Sequence, residues 1–483
     1  MRKQYHWIQA IIIWFAFFTM YVFKINHTAG IDEIMTFFKY TRLPTDILLY
    51  DAPNNHILHS FFVWISTSLL GNSLIAIRLP GFMAGIISLA LLYRLGNRWR
   101  NHYIGLVSML LMGITLSFLT FINAGRGYTL TILFTILLIE NVSKVSTSTS
   151  MRQRFYTFIL SLCLLLIMPS NVYLILSIIL WQFIVGWQLE KSELLKNTAP
   201  LFISSAIGTV FYISILITNL PSGLTHEFEV GIININVFIL DVIRSLFEIP
   251  SLSILLFGIF LWGALTTFQQ YRKPKFFLIA VIIFVSIFGS IVQLVVTHML
   301  FFGRNFLYLL PLTSIISAMG IYRLKKLRLN FMIPLLLLLV GLWGIQTTNT
   351  NTNIRNWLTT LEENTLDGDI VFIGPAIYDP IYYHVRVLGE TSRDYFAPSD
   401  QSDRFVIVPT TCEWPCLDAD ELISIHGLQQ YINECTEEVW DSQKVVTCPI
   451  VNPPYSRVNS SCFVSIYPYW RECSDADNIK VES

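Results

Sequence analysis

Residues 103–122 read YIGLVSMLLMGITLSFLTFI, twenty positions without a charged side chain. A helix needs about 20 mostly apolar residues to cross the hydrocarbon core of a bilayer, so this stretch predicts a transmembrane helix. Comparable runs recur along the first 346 of 483 residues, and 54% of the chain is hydrophobic against 13% charged. This composition excludes a single soluble globule and predicts a polytopic α-helical membrane protein.

Basic residues indicate which apolar runs cross the membrane. Lys and Arg in short loops stay in the cytoplasm, and five basic clusters share that side with Arg2 and Lys3 only if one early run does not cross. Run 57–70 is too short and contains His59 and Ser60, so it is predicted to lie in the outer interface. Eleven transmembrane helices remain. The twelve runs cover residues 8–23, 57–70, 79–95, 103–122, 127–143, 155–168, 171–187, 198–217, 250–268, 276–296, 305–320 and 331–346.

Charge divides the chain into two predicted domains. Up to Gln346 there are 24 Lys and Arg against 11 Asp and Glu, and from Thr347 onward 8 against 21. We expect a transmembrane domain over 1–346 and an extracytoplasmic domain over 347–483, with the N-terminus cytoplasmic and the protein in the cell membrane. No small-residue cleavage site follows the first run, so an uncleaved first span is expected rather than a signal peptide. No nucleic-acid partner is expected.

The tail is predicted to be a small α/β domain, because residues 369–375 and 404–409 resemble short buried strands that end in turns. Its aromatic residues indicate core and rim, with glycan binding as the alternative. Six cysteines in this acidic region predict three disulfides on an oxidising side of the membrane, in a pairing that the sequence leaves open. A metal site around Cys412 and Cys416 is the less favoured alternative. The six are Cys412, Cys416, Cys435, Cys448, Cys462 and Cys473.

The outer loop 24–78 carries the first group of candidate site residues. Asp32 and Glu33 precede apolar residues at helical spacing, which places both carboxylates in the first turn of a short surface helix. Either carboxylate could simply cap that helix. The loop continues with a stretch of polar and charged groups that are costly near lipid unless they line a site. This stretch contains Asp51, Asn55, His56 and His59.

Three arginines lie at the predicted outer ends of spans. Arg126 stands between Gly125 and Gly127 and is followed by Tyr128, while Arg78 and Arg304 begin or end other apolar runs. A guanidinium matches phosphate oxygens, although an arginine at a span end also snorkels to lipid headgroups, and the two interpretations are equally favoured. A further outer segment, 219–248, is interpreted as an acidic solvated loop, with a substrate lid as the alternative.

These motifs together resemble the GT-C superfamily of membrane glycosyltransferases, in the branch of protein O-mannosyltransferases and the lipid A aminoarabinose transferase. The matching pieces occur in the family's order within residues 8–350, although the distinctive motifs occupy only the first third of the chain. The sequence departs from the family's acidic segment at Ala52 and Asn54. The motifs are Asp32-Glu33, Asp51-Ala52-Pro53-Asn54-Asn55-His56-Ile57-Leu58-His59, Arg78-Leu79-Pro80 and Gly125-Arg126-Gly127-Tyr128.

The resemblance implies inverting transfer of a hexosyl or pentosyl group from a polyprenyl-phosphate carrier to a protein, lipid or glycan acceptor on the outer face. It implies that Asp32 is the general base, that Glu33 supports it, and that the arginines neutralise the leaving phosphate. Asp51 matches a position that helps hold a divalent ion in some relatives, and His56 could assist, so a divalent metal is a candidate cofactor. Asn55, His59 and Tyr128 complete the expected substrate site.

A transporter or flippase of lipid-linked glycans is the alternative function. Such a protein also gathers arginines near a headgroup, but it is expected to carry polar residues along a path through the bilayer and to show internal repeats. The sequence shows no repeat, and the predicted inner halves of the spans are nearly uncharged. A polar cluster confined to one face favours chemistry at the membrane surface.

Overall fold

The structure is a computed structural model of the 483-residue chain. It describes residues 2–25, 30–48, 55–143, 150–186, 191–218, 235–249, 252–268, 274–297, 302–324, 339, 359–360, 363–364, 370–373, 404–408, 435–440 and 443–449.

Helices dominate the described part of the first 324 residues. They are α1 Arg2–Lys24, α2 Ile31–Tyr40, α3 Ile57–Leu70, α4 Leu74–Trp99, α5 His102–Ile114, α6 Leu116–Ile122, α7 Tyr128–Val142, α8 Met151–Ile167, α9 Val172–Gly186, α10 Lys191–Thr218, α11 Ile235–Phe247, α12 Ser253–Phe268, α13 Pro274–Thr297 and α14 Leu310–Arg323, with 3-10 helices at Asp46–Leu48, Pro169–Asn171 and Gly303–Leu309.

The apolar helices identify an integral membrane protein. Among the described residues, five helices are long and apolar enough to cross a bilayer, and a sixth span results if α5 and α6 count as one. Three further apolar helices are shorter, and one of them is α3. Its bounds coincide with run 57–70, which the sequence analysis excluded from the spans for its length. The total of eleven spans stays a prediction.

The run 103–122 is not a single straight helix. α5 and α6 are bent by 69° at Thr115, whose backbone is extended, with φ −69° and ψ 132°. The Thr115 hydroxyl donates to the Leu111 carbonyl at 2.8 Å, and the Leu116 N–H donates to the Glu248 carbonyl at 2.8 Å. A bond from a distant segment therefore replaces the helical bond that the bend removes, which keeps the buried backbone satisfied.

The second half of the segment 219–248 is a packed helix, so its interpretation as a solvated loop or lid is wrong for the described part. α11 spans Ile235–Phe247 and buries Phe238, Val242 and Leu246, which recur every four residues and share one helix face. Phe238 packs against Phe306 of the 3-10 helix Gly303–Leu309, with ring centroids 5.7 Å apart. Residues 219–234 lie outside the described part of the chain.

In the C-terminal region the structure describes a four-stranded sheet. Its strands are β1 Ile370–Ile373, β2 Arg404–Val408, β3 Thr436–Trp440 and β4 Gln443–Pro449, in the order β1-β2-β4-β3. β1 pairs parallel with β2, and the other pairings are antiparallel. β1 and β2 occupy the two stretches that the sequence predicted as strands. Cys435 is disulfide-bonded, while the three predicted disulfides and their pairing stay predictions.

The chain divides into two compact units. One comprises residues 1–26 and 36–349, and the other comprises residues 27–35 and 350–483. The first unit has a continuous buried core contributed by its helices. The second contains the sheet and also the start of α2, with Asp32 and Glu33. The sequence-based domains 1–346 and 347–483 stay a prediction.

Backbone contact joins α12 and α14 within the first unit. A Cβ added to Gly320 would lie 2.6 Å from the Ile259 carbonyl oxygen, and one added to Gly263 would collide with the Ile316 carbonyl. The two helices can approach this closely only because both positions are glycine.

Candidate functional site

Two buried histidines mark the start of α3. His56 is the residue before the helix and is 2% exposed, and His59 lies in the first turn with no exposure at all. The helix start is fixed by neighbouring polar groups, because the Ser60 hydroxyl donates to the side-chain amide oxygen of Asn55 at 2.7 Å. The Asn55 amide donates to the Ile47 carbonyl at 3.0 Å. Asn55, a predicted substrate-binding residue, thus helps to hold the histidines in place.

Three imidazole nitrogens at this place lack a hydrogen-bond partner among the described residues. They are Nδ1 of His56 and both ring nitrogens of His59. A buried polar atom without a partner costs about 1–3 kcal/mol. Such atoms are rare in native proteins, and they often have a role in ligand binding or catalysis.

The turn between α6 and α7 passes directly over His56. Arg126 and Tyr128 of this turn are buried, and the Tyr128 ring meets the His56 imidazole edge to face with centroids 5.1 Å apart. The Arg126 guanidinium lies 5.8 Å from the Tyr128 ring centroid. A Cβ on Gly127 would be only 2.7 Å from His56 Nδ1, so this close crossing requires glycine.

Arg304 acts on the same histidine from the 3-10 helix Gly303–Leu309, nearly 180 residues further along the chain than Arg126. Its charge acts on His56, and its guanidinium lies 4.5 Å from the Phe302 ring centroid. The Asp241 carboxylate of α11 accepts a hydrogen bond from the Gly303 N–H. Asp241 is therefore a positioning residue for Arg304 that the sequence analysis missed. A single acid in an apolar stretch of a presumed loop gave no signal of this role.

Burial, together with the nearby positive charges, keeps both histidines neutral. Burial is the main cause that lowers the pKa of His56 well below its usual value, and Arg126, His59 and Arg304 add to the effect. Burial and the Arg126 charge lower the pKa of His59 to about 3. Neutral imidazoles beside two guanidinium groups form a site that attracts an anion.

The divalent ion predicted at Asp51 and His56 stays a prediction. His56, the described half of the predicted metal pair, faces the positive charges of Arg126 and Arg304, which oppose a second cation. No cluster of three His, Cys, Asp or Glu side chains forms within the described ranges. Asp51, the other predicted ligand, lies outside the described residues.

Arg78 occupies a different position from the other two arginines. It is buried in the second turn of α4, and its Nη1 donates to the Ile25 carbonyl at 2.8 Å. This bond ties α4 to the end of α1. Arg78 is not among the charges that act on His56 or His59.

The two predicted catalytic carboxylates differ in exposure. α2 begins at Ile31 with Asp32 and Glu33 in its first turn, as the sequence analysis expected. Glu33 is buried, and its Oε1 accepts a hydrogen bond from the Gly30 N–H at 2.7 Å. This bond is the helix cap that was expected of one of the pair. Asp32 is partly exposed.

Comparison with known proteins defines the class of fold. ArnT from Cupriavidus metallidurans bound to undecaprenyl phosphate matches with a TM-score of 0.52 at 12% identity, covering 92% of this chain and 97% of that one. Its apo state matches with a TM-score of 0.53 at 11% identity and the same coverage. A weaker similarity relates the chain to the oligosaccharyltransferase AglB from Archaeoglobus fulgidus, with a TM-score of 0.48 at 12% identity, covering 79% of this chain and 63% of that one.

The sequence comparison agrees with the fold. The family described as dolichyl-phosphate-mannose-protein mannosyltransferase matches residues 51–217. No curated protein matches the chain. The resemblance to GT-C membrane glycosyltransferases that the motifs indicated is therefore confirmed. Residues 51–217 include Asn55, His56, His59, Arg126 and Tyr128.

Proposed function

We propose that the protein transfers a sugar from a polyprenyl-phosphate carrier to an acceptor on the outer face of the membrane, with inversion at the anomeric carbon. The observation that carries this proposal is the convergence of Arg126, Arg304, His56 and His59 from three separate chain segments. Two fixed cations beside enclosed, neutral hydrogen-bonding groups suit a phosphate ligand. The acceptor is a protein, lipid or glycan, and the sugar a hexose or pentose.

Polyprenyl phosphate becomes a good leaving group when fixed positive charge meets the charge that develops on its oxygens. In this proposal Arg126 and Arg304 supply that charge, and the burial of Arg126 strengthens its share because little water screens the interaction. Arg78 is proposed to contact the same phosphate, as the sequence analysis expected, although its bond to Ile25 also has a structural role. The Tyr128 ring lies against both the His56 imidazole and the Arg126 guanidinium, and in this proposal it keeps the two groups in position.

Asp32 is the proposed general base that removes the proton of the acceptor hydroxyl. Asp32 is partly exposed, whereas Glu33 is buried and accepts a backbone hydrogen bond from Gly30, so Asp32 is the more accessible of the two carboxylates. Glu33 supports the helix start that presents Asp32. Lost general bases usually cost a factor of about 10² or more in rate.

The comparisons support the class of carrier. ArnT has been solved with undecaprenyl phosphate, and the matching family is described by a dolichyl-phosphate sugar. Both are polyprenyl phosphates. We further propose that the N-terminus is cytoplasmic and the tail extracytoplasmic, in the cell membrane. This orientation puts the lipid-linked donor and the acceptor on the outer side.

The test is turnover of a polyprenyl-phosphate-linked sugar by the purified full-length protein in lipid. We expect release of polyprenyl phosphate that falls at least about a hundredfold in Asp32→Asn and less in Glu33→Gln. Arg244→Gln, a change on α11 outside the proposed machinery, is the matched control and should retain turnover. Wild-type rates in Asp32→Asn would refute the base assignment.

The same preparation separates the alternative function. A flippase moves a fluorescent lipid-linked glycan between leaflets of a liposome without consuming it. Movement without release of polyprenyl phosphate, over a panel of sugars and acceptor classes, would replace the transferase proposal with the flippase.

A further inference from the structure

An apolar groove lies between α12, α13 and α14. Its volume is about 460 Å³, and its lining along α13 follows the helical repeat from Phe276 to Ile291, so these residues share one helix face. Phe284 and Phe288 of this face are more than half exposed, as side chains that face lipid are. At 1.5 Å per residue the face is about 22 Å long. The hydrocarbon of one leaflet is roughly 15 Å deep, so the groove can hold a whole acyl chain.

A small basic cavity adjoins the apolar groove. Thr267, near the end of α12, lines both of them. The basic cavity has a volume of about 20 Å³, and two arginines line it. Arg100 directly follows α4, and Arg323 is the last residue of α14. Both side chains are exposed, so they can meet a charged group at the mouth of the cavity.

The positive charge of the basic cavity is not neutralised by the acid that is closest along α4. Glu140 is buried and accepts hydrogen bonds from Arg94 at 2.5 Å and from Arg98 at 2.6 Å. In the part of the chain that the structure describes, neither Arg100 nor Arg323 forms an ion pair. Two guanidinium groups at one cavity therefore keep their charge for a ligand.

The hydroxyl groups of the basic cavity are engaged within the protein. The Thr266 hydroxyl donates to the Gly263 carbonyl at 2.9 Å, and the Thr267 hydroxyl donates to the Met319 sulfur at 3.5 Å. Recognition at this place therefore depends on the arginines. The guanidinium fork matches phosphate oxygens, and an apolar groove that shares a wall with the cavity suits the chain of the same molecule.

We propose that an anionic phospholipid binds at this place, with one acyl chain in the apolar groove and its phosphate at Arg100 and Arg323. Basic pockets between transmembrane helices are typical sites for anionic headgroups at the cytoplasmic side, and this end of α14 is cytoplasmic in the proposed orientation. A zwitterionic headgroup suits the site less, because it carries a cation of its own that both arginines repel.

This lipid site is separate from the proposed site of sugar transfer. Arg304 precedes α14 and Arg323 ends it, so the two arginines lie at opposite ends of the helix. A carrier whose phosphate is held by Arg304 cannot place the same phosphate at Arg323. The inference therefore concerns a second, resident lipid and does not depend on the transferase reaction.

Lipid retention by the full-length protein tests the headgroup contact. The protein in detergent is mixed with dioleoyl phosphatidylglycerol or dioleoyl phosphatidylcholine, and native mass spectrometry counts the lipids that stay bound. Arg100→Gln/Arg323→Gln removes the two charges of the basic cavity. Arg98→Gln/Arg152→Gln is the matched control, because it removes two exposed arginines from the same predicted side of the membrane and leaves the cavity intact.

A second pair of variants tests the apolar groove. Ala280 lines the groove, so Ala280→Phe places a ring where the acyl chain is expected. Ala16→Phe is the control, since Ala16 is exposed on α1 and lies outside the groove. Thermal unfolding checks that each variant is folded, and single arginine variants replace the double variant if it is not.

We expect wild type to retain one phosphatidylglycerol in preference to phosphatidylcholine. Affinity for phosphatidylglycerol should fall about tenfold or more in Arg100→Gln/Arg323→Gln, because each arginine makes a hydrogen bond to a charged group. Ala280→Phe should weaken retention similarly, while both controls behave as wild type.

Four outcomes would overturn the proposal. Equal retention by Arg100→Gln/Arg323→Gln and its control would show that the arginines do not hold the headgroup, and equal retention of the two phospholipids would show that charge does not select it. Displacement by inorganic phosphate together with normal retention in Ala280→Phe would assign the cavity to a soluble anion. Displacement of phosphatidylglycerol by an equal amount of undecaprenyl phosphate would assign the groove to the carrier.

Discussion

The protonation of His59, a fully buried side chain, is linked to the stability of the fold. Enclosure without a hydrogen-bond partner keeps the imidazole neutral and holds its pKa near 3. In the unfolded chain the same histidine titrates near pH 6.5. The unfolded state therefore binds more protons than the folded state at mildly acidic pH, so stability is lost as pH falls below about 6.5.

Stability should consequently depend on pH through this residue. Per histidine the loss approaches about 1.4 kcal/mol for each pH unit below 6.5, or about 2 kcal/mol at pH 5. We expect the thermal unfolding temperature of wild type to fall more between pH 7 and 5 than that of His59→Asn, because asparagine has no group that is protonated in this pH range. Parallel pH profiles of the two proteins would show that His59 is already charged in the fold.

Gly127 offers a second test at the scale of one residue. A methyl group there would meet His56 Nδ1 at 2.7 Å and Ile167 at 2.8 Å, so Gly127→Ala must push the imidazole out of place. We expect undecaprenyl phosphate affinity to fall about tenfold or more. Gly258→Ala is the control, because its new Cβ would meet nothing within 4 Å. Equal affinities of Gly127→Ala and Gly258→Ala for undecaprenyl phosphate would show that His56 does not contribute to the phosphate site.

At the scale of elements, length and periodicity suffice for some predictions. The bounds of α3, the start of α2 with its acidic first turn, and strands β1 and β2 follow from local sequence, because each is decided by neighbours along the chain. The bend at Thr115 does not, since it depends on the distant Glu248 carbonyl. The packing of α11 on the Gly303–Leu309 helix is equally non-local.

The register of the sheet predicts one disulfide. From the sequence alone, the six cysteines of the tail could pair in fifteen ways. Thr436 of β3 lies opposite Thr447 of β4, and their hydroxyl oxygens are 2.8 Å apart. One step further along the ladder, Cys435 comes opposite position 448. Directly opposed antiparallel residues have Cα atoms about 4.5–5.5 Å apart, within the range of a disulfide. We predict that Cys435 pairs with Cys448.

Peptide mapping under non-reducing conditions checks this pairing. We expect the peptides that contain residues 435 and 448 to migrate together until a reductant is added. A peptide that joins Cys435 to any of the other four tail cysteines would contradict the prediction, because it would require a different register of β3 and β4.

At the scale of the whole molecule, composition predicts the class of protein, but it does not predict the geometry of the site. Apolar runs suffice to predict a membrane protein, because that prediction depends on averages over many residues. The gathering of arginines on the outer face, which the positive-inside rule predicts, stays a prediction. Convergence of Arg126 and Arg304 on the histidines depends on packing between segments nearly 180 residues apart. Only the fold could show that convergence, or that Arg78 makes a different contact.

The orientation of the molecule is testable with a membrane-impermeant thiol reagent. Asn72 and Met151 are both exposed, and the charge pattern places the first outside and the second inside. In a Cys163→Ser background, we expect Asn72→Cys to react in intact cells and Met151→Cys only after permeabilisation. Reaction of Met151→Cys in intact cells would invert the predicted orientation.

The backbone contact of Gly263 and Gly320 has a practical consequence for purification. Packing between helices in a bilayer draws on van der Waals contact rather than on the exclusion of water, since lipid tails are as apolar as leucine. We therefore expect the packing contact between α12 and α14 to change little when detergent replaces lipid. Extraction strips annular lipid while these helices stay together, so activity lost on solubilisation should return when lipid is added back, without refolding.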